Sequence, residues 1–215
     1  MMFAEHAIDD ELPVEGDLVS DGALTDKFEG YGEPHSARIA DIADRLAVHF
    51  NFAVRDRMML KRAAYFHDFG ELTMNRAYIS SSSELTAPER LDLFRHPVIA
   101  EQQAAKRDLP RAVQLLVRWH HEWWNGSGYP DKLVGKQIPL AARILRIADT
   151  YSALTSVRPY RAAFSAQEAD RYVAESAGIE FDPAVALALL DIPERIPSAD
   201  PATEEPTAET EQGED

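Results

Sequence analysis

The chain has 215 residues, 45% hydrophobic and 27% charged, with no cysteine, a globular mixture that excludes wholesale disorder, disulfides, thiolate nucleophiles and Cys-ligated zinc. Its net charge of −15 is carried by the ends: residues 1–30 and 191–215 each hold nine acids and one base, while residues 31–190 hold nineteen acids and twenty bases. A near-neutral centre argues against DNA or RNA as a partner, and no apolar run reaches the ~18–20 residues of a membrane span.

Residues 1–20 are expected to be a loose acidic tail, although Val14, Leu18 and Val19 could dock. There are acids where a secretory signal would be basic, so a soluble, cytoplasmic protein is expected. Ile39, Ile42, Ala43, Leu46 and Phe50 recur at three- and four-residue steps and predict an amphipathic helix over 35–50. Met59, Leu60, Ala63, Ala64 and Phe66 predict a second, running into His67. Thr86 with Glu89 forms a capping box for a helix over 87–95. Pro97 starts the next, to about Arg107, and Pro110 starts one carrying Val113, Leu116 and Val117. Pro139 opens a longer helix to Leu154, and Ser165 with Glu168, then Asp182 with Pro183, start two short closing helices. Residues 122–138 form a long irregular segment rich in Gly and Trp, too long for a mere connector. From Ile192 onward the acidic, Pro-rich text has almost nothing to bury, so 192–215 is expected to be a disordered tail. The fold class predicted is an all-α helical bundle over 21–191 with one functional loop.

Five of the seven histidines, His35, His67, His96, His120 and His121, lie at helix ends or on apolar helix faces. Asp149 shares a face with Leu145 and Ala142, and Asp68 adjoins His67. One inward histidine is ordinarily a hydrogen-bonded core residue. Five imidazoles and two carboxylates directed into one bundle would cost several kcal/mol in total if unpartnered, and a metal cluster satisfies them. Imidazole and carboxylate suit Zn, Fe, Mn or Co. Two ions ~3.5–4 Å apart would activate water and clamp an in-line phosphoryl displacement without a protein nucleophile.

In order and distance, His67-Asp68, His96-Pro97, His120-His121-Glu122 and Gly128-Tyr129-Pro130 resemble the signature of the HD-GYP domain, a subgroup of the HD metal-dependent phosphohydrolases. The similarity runs from about His35 to Pro183, roughly seven tenths of the chain, and is densest from His120 to Arg161. The resemblance implies an HD-domain bundle that hydrolyses the bacterial second messenger cyclic di-GMP to linear pGpG, with GMP as a further product, through a metal-bridging hydroxide. It carries the metal-ligand role onto His35, His67, Asp68, His96, His120, His121 and Asp149, with Asp68 the expected bridge. The cofactors implied are two divalent transition metal ions, Fe or Mn foremost, with Zn, Ni or Co also accepted by such ligands. Asp68 and Glu71 stand at the catalytic positions. Tyr129, Arg158 and Arg161 match substrate-binding positions, the arginines through guanidinium forks suited to phosphate and guanine. Gly126, Gly128 and Tyr129 belong to the loop that walls the pocket. In this family the loop also docks diguanylate cyclase (GGDEF) domains, here through 122–138.

The departures from the pattern bear on activity. Glu71 replaces the usual lysine near the scissile phosphate; at ~4 Å and a dielectric of about 20 one charge is worth on the order of 4 kcal/mol, so sign reversal could remove most of the turnover. Glu71 could instead bind a cation or turn to solvent. Tyr31 stands where three-metal members have Glu, and Glu33 is off register, so two metals are expected. Ala100 adds a methyl where helices pack closely, Ser152 replaces an aspartate and could lose a supporting contact to a ligand, and Asn125 for Asp is a mild change. Residues 1–30 are too short for the sensory or receiver domain that usually precedes such a module, so regulation is expected from a partner, the tails or expression level. His49 and His6 read as surface or tail residues. Trp119, Trp123 and Trp124 read as packing residues in preference to guanine-stacking ones. Three readings remain: an active cyclic di-GMP phosphodiesterase, a catalytically weak metal-containing docking module, and a hydrolase of another cyclic dinucleotide or phosphoester.

Overall fold

The computed structural model describes residues 16–81, 83–157 and 162–192. Ten α-helices account for most of these residues: α1 Gly16–Glu29, α2 His35–His49, α3 Val54–Phe66, α4 Phe69–Met74, α5 Ala87–Leu93, α6 His96–Lys106, α7 Arg111–Trp119, α8 Leu140–Leu154, α9 Ala166–Ser176 and α10 Pro183–Asp191. Among the described residues, extended pairing is limited to one isolated bridge, Ala177 with Phe181. The all-α expectation holds, and the helices read from periodicity and caps fall within a few residues of where they were expected. Both capping boxes form: Thr86 with Glu89, and Ser165 with Glu168. Asp182 caps α10 by accepting from the Ala184 N–H.

The core forms where the apolar stripes meet. Ile39, Ala43 and Leu46 of α2, Leu60, Ala63 and Phe66 of α3, Val113 and Val117 of α7, and Ile144, Leu145 and Ala148 of α8 are all fully buried in one cluster. α2 lies against α3 and α8, and α7 against α3 and α6. Fully burying a Val, Leu, Ile or Phe side chain stabilises by about 1.5–3 kcal/mol, so this cluster is the main source of rigidity beneath the helix ends.

Two helices were not anticipated. α1 begins at Gly16, inside the segment expected to be loose, and Leu18 is buried in the core. Its apolar periodicity is weak because its inward face is mostly polar: Asp21, Thr25, Asp26 and Glu29 are buried beside Leu18 and Gly22. The two aspartates are matched. Asp26 accepts from the Ser36 N–H through both oxygens at 3.1 Å and from the Ser36 hydroxyl at 2.6 Å, which places a carboxylate at the N-terminus of α2. Asp21 pairs with Arg107. α4 follows α3 almost directly, with Asp68 as its N-cap residue, and ends at Asn75 in the left-handed region (φ 49°). The 122–138 segment is irregular, as expected, apart from one 3-10 turn at Gly135–Gln137.

α4 crosses the start of α6 so closely that position 70 tolerates no side chain. A Cβ on Gly70 would fall inside the contact radius of the His96 carbonyl oxygen and meet the Ala100 nitrogen at 3.0 Å. The close approach is therefore made by Gly70, and the Ala100 methyl is accommodated in the core. Gly70→Ala is expected to destabilise the fold by about 3 kcal/mol or more, which thermal unfolding would read as a fall of roughly 6–12 °C.

Candidate metal centre

Each candidate ligand sits at or near a helix end, except Asp149. His35 opens α2, His67 and Asp68 join α3 to α4, His96 opens α6, and His120 and His121 follow α7; Asp149 projects from within α8. Three imidazoles share one orienting device. The Nδ1 of His67 lies 2.9 Å from the Ala64 carbonyl, that of His96 2.8 Å from Leu93, and that of His120 2.6 Å from Val117. A carbonyl only accepts, so Nδ1 carries the proton in each ring and Nε2 faces inward. His35 is oriented by Ser152, whose Oγ is 2.9 Å from Nδ1. The expected loss of a supporting contact at Ser152 is thus corrected: the shorter hydroxyl reaches the ring itself. Tyr31 covers one face of His35, stacked with ring centroids 3.9 Å apart.

The inward atoms converge on Asp68. Its Oδ2 is 3.0 Å from His67 Nε2, and its Oδ1 is 3.0 Å from His96 Nε2 and 3.3 Å from His120 Nε2. Asp149 Oδ1 is 3.4 Å from His35 Nε2 and 4.0 Å from His67 Nε2. The seven residues expected to be ligands fall into two groups able to hold an ion, Asp68 with His96, His120 and His121, and His35 with His67 and Asp149. His96 and His120 face each other through Nε2 atoms 3.4 Å apart, while His67 Nε2 and Asp68 Oδ1 are buried without an aligned hydrogen bond. Acceptors crowded in this way call for cations, and the donor set fits borderline divalent ions.

A third group was not anticipated: Glu29, Asp68 and Glu71 also lie within ligand distance of one another. Glu33, by contrast, is on the surface beside Arg38. Glu29 was missed because its position was sought four residues before His35. The stripe Leu18, Gly22, Thr25, Glu29 on one face of α1 was the signal that could have found it. Glu71 does not turn to solvent; it is 9% exposed, with Oε1 3.7 Å from His96 Nδ1. Burial and the Asp68 charge raise its carboxyl to about 8, so at neutral pH the metal-free chain holds it largely uncharged.

The loop side is built by buried Glu122, which accepts from the Asp131 N–H at 2.6 Å and the Leu133 N–H at 3.0 Å. Gly128 must be glycine, since a Cβ would collide with the backbone of His121 and Trp123. Tyr129 then stacks between His121 (centroids 4.9 Å) and Phe94 (4.1 Å) and lines the cavity. Asn125 accepts from the Ser127 N–H at 2.8 Å, a turn contact that Asp would also make. The tryptophans pack within the protein: Trp119 donates to Asp131, Trp124 lies beside Arg143, and none of the three lines the cavity. His49 is exposed, as read; His6, Arg158 and Arg161 lie outside the described residues. Above the centre opens a cavity of about 490 Å³, walled by Asp68, Glu71, His96, Tyr129, Asp149 and a residue sequence reasoning passed over, Arg146. Its spacing three residues before Asp149 on α8 was the available signal.

A family model described as an HD domain matches residues 23–185. The chain belongs to the HD domain family. The HD-GYP resemblance is borne out as well. This HD domain is 34% identical over 155 residues to the cyclic di-GMP phosphodiesterase response regulator RpfG of Xanthomonas campestris pv. campestris, covering 71% of this chain and 41% of that protein. It is 31% identical over 174 residues to 3'3'-cGAMP-specific phosphodiesterase 3 of Vibrio cholerae, covering 81% of this chain and 38% of the relative. The chain thus spans less than half the length of these two curated relatives. Its fold superimposes on the crystal structure of V. cholerae V-cGAP3 with a TM-score of 0.62 at 18% identity, over 80% of this chain and 47% of that one. It matches Bd1817, an HDGYP protein of Bdellovibrio bacteriovorus, with the same score and identity over 74% and 51%. No helix among the described residues is long and apolar enough to cross a membrane.

Two pH dependences follow. Burial alone would lower the His67 imidazole, but the Asp68 carboxylate and then Asp149 raise it to about 10, so at neutral pH a cation must displace a proton there. Apparent metal affinity is expected to rise roughly tenfold per pH unit between about pH 6 and 8, with proton release on loading. Titration calorimetry in buffers of different ionisation enthalpy checks this. For Glu71, raised from 4.5 to about 8, the folded chain holds a proton that the unfolded chain loses. Its contribution is fully present below about pH 4.5 and lost as pH rises through about 8. The metal-free Glu71→Gln variant should therefore lose less melting temperature than wild type between about pH 5.5 and 8.5.

Proposed function

We propose that this chain is a metal-dependent phosphodiesterase that hydrolyses cyclic di-GMP to linear pGpG, with GMP as a further product. The observation that carries the reading is the Asp68 carboxylate, which lies between two groups of imidazole and carboxylate donors at the floor of a cavity of about 490 Å³. Two divalent transition ions, Fe or Mn, would be held by His35, His67 and Asp149 on one side and His96, His120 and His121 on the other, with Asp68 shared. Bound there, such ions supply water activation and neutralise charge developing on the phosphate. The protein's own part is positional. The Ala64, Leu93 and Val117 carbonyls hold three imidazoles in the tautomer that offers Nε2, and Ser152 with Tyr31 holds His35. Tyr129 walls the cavity where a base would lie. Arg158 and Arg161 are assigned to the substrate on the strength of the motif.

Relatives named for cyclic di-GMP and for 3'3'-cGAMP both support a cyclic dinucleotide as the substrate class. A cytoplasmic location and docking of diguanylate cyclase domains on the 122–138 loop belong to the same reading. One observation favours a second reading, a catalytically weak docking module: Glu71 is buried beside Asp68, where the motif has a lysine.

The test is to load the chain anaerobically with Mn(II) or Fe(II), count bound metal, and follow cyclic di-GMP and 3'3'-cGAMP by chromatography. About two ions per chain with linear product is expected, and Asp68→Asn should lose metal and at least about a hundredfold in turnover. Two ions without turnover on either dinucleotide, coupled with a large gain in Glu71→Lys, would establish the docking module instead.

A further inference from the structure

The cavity is electrostatically one-sided. Its described walls carry the carboxyl groups of Glu29, Asp68, Glu71, Glu84 and Asp149, and among the described lining residues Arg146 is the only lysine or arginine. A cyclic dinucleotide would bring two phosphodiester charges into that space.

Arg146 is built in rather than draped over the surface, with its side chain 13% exposed. Its Nη2 donates to Glu180 Oε1 at 2.6 Å. Glu180 is itself fixed: Oε1 also accepts from the Thr150 hydroxyl at 3.2 Å, Oε2 from the Tyr172 hydroxyl at 2.9 Å, and its carbonyl from the Trp124 N–H at 3.0 Å. On the opposite edge, Nη1 donates to His121 Nδ1 at 2.7 Å and to Asp149 Oδ2 at 3.3 Å, while Nε is buried with no hydrogen bond among the described residues.

The two acceptors of Nη1 come one from each metal-capable group. Both residues also belong to metal-capable groups: Asp149 turns Oδ1 to the imidazoles of its group and gives Arg146 only Oδ2, at the longer distance. Glu180 is dedicated, since it belongs to neither group. With the His121 imidazole committed to a cation, Arg146 would keep its Glu180 brace and its long contact to Asp149 and have an Nη1 donor to present at the cavity wall it already lines. A non-bridging phosphate oxygen has the charge and geometry to accept from it.

We propose that Arg146, braced by Glu180, binds the phosphodiester group of the substrate and supplies the positive charge that position 71 lacks. The proposal rests on the phosphodiesterase reading and names a substrate-contacting residue outside the motif.

The test uses the full chain loaded with Mn(II), as wild type, Arg146→Gln, Arg146→Lys and Glu180→Gln. Three quantities are measured: manganese per chain, and kcat and KM on cyclic di-GMP and on bis(4-nitrophenyl) phosphate, a diester without bases. Arg146→Gln should keep the wild-type manganese content and lose roughly 30- to 100-fold in kcat/KM on both diesters. Arg146→Lys keeps a cation opposite Glu180, and with it the fold, and should lose less than about tenfold. Glu180→Gln should act mainly through KM. Unchanged kcat/KM in Arg146→Gln would overturn the proposal. So would loss of manganese in both Arg146 variants, which would make Arg146 a support for the ligands. A wild type that cleaves only the simple diester, with the same Arg146 dependence, would defeat the cyclic di-GMP reading and leave this one standing. If wild type cleaves neither, calorimetry with inorganic phosphate decides: binding weakened in Arg146→Lys supports the proposal, and equal or no binding overturns it.

Discussion

The structure depends on one carboxylate. Asp68 has imidazole nitrogens about it at 3.0, 3.0 and 3.3 Å, and two of those nitrogens face each other across 3.4 Å. The outer nitrogens of these rings are committed to backbone carbonyls, so the inner ones are lone-pair donors unless protonated. Such a gathering of acceptors in a buried place is unfavourable by itself. It is held because the helices that carry it are anchored by an apolar cluster elsewhere. A cation is the partner that resolves the conflict, and until one binds a proton on His67 takes its place.

The fold delivers these groups through helix ends. An imidazole just past or at the start of a helix finds a free carbonyl three residues back, as His67, His96 and His120 do. Two glycines permit the close backbone approaches that complete the site. Gly70 lets α4 press against the start of α6, which brings Glu71 and His96 together, and Gly128 lets the loop lie on the His121 backbone so that Tyr129 reaches its ring. α1 works differently, binding to the bundle through polar contacts, with Asp26 set at the N-terminus of α2 just beside His35. Its far end carries Glu29 to the centre.

The surroundings are acidic in a way that suits cations better than phosphates. Glu71 stands where the motif has lysine, and Arg146 is the one arginine or lysine among the described residues that line the cavity. A buried arginine needs a counter-charge, and Glu180 meets that need from the segment between α9 and α10, which also carries the backbone acceptor for Trp124 of the loop. The wall of the cavity and the loop over it are thereby tied through one residue.

The bundle class, most of its helices and the candidate ligand residues were legible in the sequence because they rest on local physics. Three- and four-residue apolar spacing, capping boxes and prolines act within one or two turns, and the HD-GYP signature is a set of linear intervals. α1 escaped because its buried face is polar, so hydrophobic periodicity carried no trace of it. Glu29, Arg146, Glu180 and the contact from Ser152 to His35 also escaped notice. Each matters through a partner that is distant in sequence, as Ser152 is from His35 and Glu180 is from Arg146. Whether Glu71 faced solvent or the centre was likewise a question of packing, since the crossing of α4 over α6 sets its burial and its burial sets its charge. Residue types and intervals determined which chemistry this protein can assemble. Only the tertiary structure decided which charges share a space, because electrostatic partnership depends on distance and burial, and neither is a property of the linear order.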